Sequence, residues 1–255
     1  MNPEDPVRWV VLLALITIAT TRAVLYWRDR TTWYMTAVAF TVPIISILLS
    51  PGLGEGILDP ALQSLTGLPN LPELLSDLIS VAMCILLLCH VAVSLDREDL
   101  LTSIIASGAA GIGLMSLCYA ISPIASNRQI PSYRLVPSDA ALNLYFVTFG
   151  IYGVMAGIFF IYASIATKTD NLPERLTLAA YFCFGGIMTL VGQQFITLGF
   201  VYNTMAPPEA FKLTGRYLWF GVGAMLAIAL VMTIIIRRQE VRPREFKRHR
   251  AVTLR

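Results

Sequence analysis

Residues 73–95 read ELLSDLISVAMCILLLCHVAVSL, a run of 23 residues with two carboxylates and one histidine. A helix of about 20 such residues crosses the roughly 30 Å hydrocarbon core of a bilayer. Runs of similar character recur at about residues 8–27, 33–50, 101–122, 140–167, 174–203 and 212–238. The chain of 255 residues is 56% hydrophobic and only 14% charged, where soluble domains carry about a quarter of charged residues. The expected fold is therefore all-α, a polytopic transmembrane helix bundle of seven spans over residues 1–238 with a basic tail over 239–255. The acidic start, MNPEDPVRW, and the lack of a small-residue cleavage site after the first run lead us to expect that this run stays as a helix.

Charge in the connections sets the expected orientation, because translocating Lys and Arg is unfavourable. One side collects thirteen of them, at Arg28, Arg30, Arg97, Lys168, Arg175 and through the tail from Arg237 to Arg255; the other has five, Arg8, Arg128, Arg134, Lys212 and Arg216. The N-terminus is thus expected outside and the C-terminus in the cytoplasm. The longest outer connection, residues 51–72, contains GILDPALQSLTG, which reads either as a short helix on the outer surface or as an ordinary loop.

The third span has a polar stripe. At about 100° per residue, Glu73, Ser76, Asp77, Ser80, Cys84, His90 and Ser94 share one arc, while Leu75, Leu78, Val81, Ala82, Leu86 and Cys89 lie outside it. Gly67, Pro69 and Pro72 punctuate the chain before it, and Asn70 fits an N-cap. Glu73 and Asp77 suit the positive pole of that helix, so they read either as exposed capping charges or as a cation or proton site at the outer mouth. His90 reads either as a hydrogen-bonded core histidine or as a titratable group on a path, since intramembrane ionisable residues often mark pathways. The only other charge within the first six spans and away from their ends, Arg22, either snorkels to the cytoplasmic interface or pairs with the third span.

The sixth span places Gly185, Thr189, Gly192, Gln193, Thr197, Gly199 and Asn203 on a broad face, with Gln194 beside it. Small residues allow close backbone approach, as does the G-x-x-x-G of Gly153 and Gly157 in the fifth span. The other reading gives Gln193 or Gln194 a place on a solute path facing the third span. The pathway candidates are thus Glu73, Asp77, Ser80, His90, Gln193 and Gln194.

The tail from Arg237 has eight Lys and Arg against two Glu, a net of +6 that exceeds the +3 of the whole chain. Arg242, Arg244, Lys247, Arg248 and Arg250 are expected to bind anionic lipid head groups, at about 1 kcal/mol per charge, or a membrane or cytosolic protein partner, rather than nucleic acid. No catalytic residues and no cofactor are expected: G-x-S-x-G and H-E-x-x-H are absent, and of two histidines one lies in the tail. Cys84, Cys89, Cys118 and Cys183 lie in apolar runs without the paired spacing of a metal site.

The segment TGLPNLPELLSDL, with its G-x-P-N-L turn before the third span and the span layout that follows, resembles a group of actinobacterial seven-span membrane proteins described only as candidate transporters. The resemblance implies location in a bacterial plasma membrane and a transport role, and supplies no catalytic or binding residues. Members of the group often continue into a cytosolic region, whereas this sequence ends in a basic tail, which leads us to expect a membrane core. Two functions remain open: passage of a small solute or ion, or signalling or accessory work through a partner at the tail.

Overall fold

A computed structural model of the chain describes residues 6–26, 33–123, 125, 137–167, 169, 172–202, 205–208, 210–211, 214, 217–219 and 221–235. Among these there are helices and no strands. In chain order they are α1 (Pro6–Tyr26), α2 (Trp33–Leu48), a π-helical turn (Pro51–Leu58), α3 (Asp59–Thr66), α4 (Leu71–Ser94), a short 3-10 turn (Glu98–Leu100), α5 (Leu101–Ile121), α6 (Ala140–Ala166), α7 (Leu172–Val201) and α8 (Tyr217–Ile235). The tail residues Arg242, Arg244, Lys247, Arg248 and Arg250 lie outside the described residues.

Among the described residues, five helices are long and apolar enough to cross a membrane: α4, α5 with its 3-10 turn, α6, α7 from Glu174, and α8. A sixth is reached only if α2 and the helical stretch to Thr66 count as one span bent by 63°. α1 is 21 residues long, and its described apolar stretch runs from Leu12 to Leu25. The chain is thus an all-helical protein with the helices of a multi-pass membrane protein.

The expected second span ends where its chemistry changes. Ser50 is extended (φ −80°, ψ 133°), and its hydroxyl accepts from the Leu53 and Gly54 N–H groups at 3.0 Å each. Pro51 follows at the first helical position, where a missing N–H costs nothing. The helix restarts in a new direction, with Gly54 so close to the Leu48 carbonyl that no Cβ fits. Within 51–72 the helical reading is therefore the one found. Ser50→Ala removes a cap worth about 1 kcal/mol, so hydrogen exchange at Leu53 and Gly54 should quicken; unchanged exchange would show that the cap does not hold this turn.

The turn into α4 also differs from expectation. Asn70 occupies the N-cap position, but its backbone is left-handed (φ 55°) and its side chain caps nothing. Asn tolerates this conformation better than most residues, and Gly67 (φ 77°) supplies the other left-handed step as it closes α3 through an N–H bond to the Gln63 carbonyl. The pair reverses the chain so that α4 enters the bundle's interior.

There α4 packs against α2, α5 and α6, while α7 lies along α6. Core residues around α4 include Met83, Leu87, Met115, Tyr145 and Phe146, all at most 1% exposed. Between α6 and α7, Phe149 and Phe195 meet edge to face at 4.3 Å between ring centres, a favoured aromatic geometry. Large apolar side chains point outward from α5 to α7, among them Leu117, Ile121, Ile158, Ile165 and Phe200. Such a surface suits lipid and would be a liability in water.

Candidate functional site

Two polar groups lie on α4, one toward each end. Near the N-terminal end, Asp77 is 1% exposed and its carboxylate accepts a hydrogen bond of 2.8 Å from the Tyr145 hydroxyl of α6. The reading of Asp77 as an exposed capping charge is thereby overturned, since it faces the α6 side of the bundle. One helical turn earlier, Glu73 is half-buried. The Ser76 hydroxyl donates to the Glu73 carbonyl and the Ser80 hydroxyl to the Ser76 carbonyl, at 2.7 Å each. These two serines return their protons to their own helix, which satisfies them in a dry setting.

Above this group, Tyr119 of α5 donates to the Pro69 carbonyl in the turn before α4. Asp59 Oδ1 and Asn70 Nδ2 are shielded and have no hydrogen-bond partner among the described residues. No group of three His, Cys, Asp or Glu among the described residues is arranged to hold a metal ion.

At the other end, His90 is half-buried, and its Nδ1 is shielded with no hydrogen-bond partner among the described residues. Arg22 is 2% exposed and donates through Nη1 to the Thr233 hydroxyl of α8. Its guanidinium is thus enclosed and hydrogen-bonded to α8 rather than turned outward. Between the two polar groups the interior positions of α4 are apolar: Val81, Met83, Cys84, Leu87 and Leu88 are each at most 4% exposed. Ser80 to His90 is about 15 Å along the helix axis, and this belt closes the interval.

Gln193 and Gln194 do not join either group. Gln193 is exposed, and Gln194 donates from Nε2 to the Phe211 carbonyl at 2.7 Å, tying α7 to the segment before α8. The glycine face of α7 is spent on α6, where Gly185 and Gly192 meet Gly157 and Gly150. The stripe boundary on α4 is also blunter than the helical arc suggests, because Val81 and Cys89, outside the arc, are buried too. A helix enclosed on several sides hides apolar residues all round.

Sequence reading missed Tyr145, Tyr119 and Thr233. A signal for the tyrosines was available, since a phenol inside an apolar span needs a hydrogen-bond partner. No protein-family model, no curated protein and no solved structure matches the chain.

Proposed function

We propose that this chain is a seven-span protein of a bacterial plasma membrane, with its N-terminus outside and its basic tail in the cytoplasm, and that it carries a small solute or ion past α4. The observation that carries this reading is Asp77, an ionisable side chain 1% exposed and hydrogen-bonded to a second apolar helix. Ionisable groups inside a span are costly, and they persist where an ion or proton must be met. His90, half-buried toward the far end of α4, is a second ionisable group inside the same span. The apolar belt between them makes this an occluded arrangement, which alternating access opens to one side at a time.

The test uses a chain with its four native cysteines replaced by Ala and one introduced by Ser80→Cys. In intact cells, a small membrane-impermeant thiol reagent should label position 80, as it labels a control Ser64→Cys on the exposed α3. A silent position 80 beside a reactive position 64 would mean that water does not reach the belt, and the transport reading would fall. The dry, self-bonded serines favour a second reading in that case: a signalling or accessory protein that acts through a partner at Arg242, Arg244, Lys247, Arg248 and Arg250.

A further inference from the structure

The helical segment between α2 and α4 turns an apolar edge away from the bundle. Ile57, Ala61 and Leu65 recur four residues apart and form one exposed edge, which Leu68 extends into the turn. Leu65 is 81% exposed, the highest value among the large apolar side chains of the described residues, and Ile57 is 59% exposed. Beside this edge runs a second exposed one, made of Gly56, Pro60 and Ser64. α3 packs against the π-helical turn and α4. Leu58, Asp59, Leu62 and Gln63 are half-buried, and Asp59 Oδ1 is shielded. A surface helix in water turns its apolar side inward and its polar side outward, whereas here two of the half-buried positions are polar and the most exposed one is Leu.

The flanking helices fix the depth of this segment. α2 has 16 residues, about 24 Å of rise, less than the roughly 30 Å of a hydrocarbon core. With the exposed Trp33 at its start, in the belt that aromatic rings favour at one interface, α2 ends at or short of the opposite boundary of that core. The segment leaves α2 at 63° and returns through Gly67 and Asn70 to α4, a full-length apolar helix. Both of its ends are thus held near the level where acyl chains meet head groups, and it runs across the spans rather than along them. Its only charges are Glu55 and Asp59, and between Arg30 and Arg97 the sequence has no Lys or Arg. Anionic head groups find nothing basic to bind here, so the contact on offer is with acyl chains, in the manner of an interfacial helix whose apolar side is buried about 5–10 Å into the boundary layer.

We propose that α3 and the end of the π-helical turn lie in the headgroup layer of the membrane, with Ile57, Ala61, Leu65 and Leu68 inserted among the acyl chains and Gly56, Pro60 and Ser64 turned to water. The partner of the apolar edge is lipid, and its insertion fixes the depth at which the turn into α4 sits. The assignment requires only that the chain spans a membrane. It depends neither on a transport role nor on which side of the membrane is outside.

Fluorescence quenching at two neighbouring positions tests it. The full chain, with its four cysteines replaced by Ala, takes a single cysteine by Leu65→Cys or by Ser64→Cys. Each is coupled to an environment-sensitive fluorophore, and the protein is placed in phosphatidylcholine nanodiscs, which leave both faces open to solvent. Nitroxide-labelled acyl chains quench from within the bilayer, and iodide quenches from water. The ratio of lipid to iodide quenching should be several-fold higher at position 65 than at position 64. Equal ratios at the two positions would place both edges in one medium, and shielding of position 65 from both quenchers would mean that protein, such as a second copy of the chain, covers the edge; either result overturns the proposal. If the cysteine-free chain does not fold, amide exchange of the native chain in the same nanodiscs decides. Leu65→Gln should quicken exchange several-fold across residues 61–66 and Ser64→Gln should not, while equal rates in the two variants overturn the proposal.

Discussion

Gly192→Ala should destabilise the bundle by about 3 kcal/mol, the upper range for an added methylene in a close-packed interior. A Cβ at this position would stand 2.5 Å from the Gly150 carbonyl oxygen and 2.5 Å from the Val154 nitrogen, both backbone atoms of α6. Backbone cannot rotate away as a side chain can, so α6 and α7 must separate along their length. Lipid tails are as apolar as Leu, and the association of these helices therefore depends on close packing more than on hydrophobic burial. Gly113→Ala and Gly186→Ala are the controls, since nothing lies within 4 Å of a Cβ at either. Both should be neutral or mildly stabilising, because Ala favours a helix by up to about 1 kcal/mol over Gly. Equal losses for all three in detergent unfolding would mean that the α6 and α7 backbones do not approach as described.

Much of this architecture is legible in the chain. Expected spans at 73–95, 101–122, 140–167 and 174–203 coincide within a few residues with α4 to α7, because Pro, Gly and charge bound long apolar runs so clearly. The small residues of 174–203 read as packing, and Gly185 and Gly192 do pack, though on α6. The partner helix was not legible, since lipid and protein interior select the same apolar residues. That ambiguity also hid the burial of Val81 and Cys89, and it made Gln193 resemble a path residue when it is exposed on α7.

The polar groups divide in the same way. Asp77 and Ser80 fall on one arc by helical period alone, and both are buried. The partner that decides the character of Asp77 is Tyr145, 68 residues away, and Thr233 stands 211 residues from Arg22. Local periodicity has no access to such pairings. The break at Ser50 was half legible: Pro51 marks an interruption, but the sharp restart depends on the Ser50 hydroxyl capping two amides.

Asp77→Asn should leave the fold intact and remove function. The amide is nearly isosteric and still offers Tyr145 an acceptor, but it cannot take up and release a proton or neutralise a cation. Tyr145→Phe acts from the other side of the same hydrogen bond. It keeps the ring that meets Phe146 edge to face at 5.6 Å and deprives a buried carboxylate of one donor, at a cost of about 1–3 kcal/mol. The two variants thus separate the proposed transport role of Asp77 from its structural one, since the first should spare stability and the second should cost it.

The most direct measurement is proton entry into liposomes containing the purified full chain, read by an internal pH-sensitive dye after an external acid step with the membrane potential clamped. Wild-type protein should acidify the lumen faster than protein-free liposomes, with Asp77→Asn falling to the protein-free rate while its unfolding midpoint stays at the wild-type value. Wild-type entry no faster than through lipid alone, or entry undiminished in Asp77→Asn, would contradict the proposal that Asp77 meets a moving ion, with the proton as the ion carried.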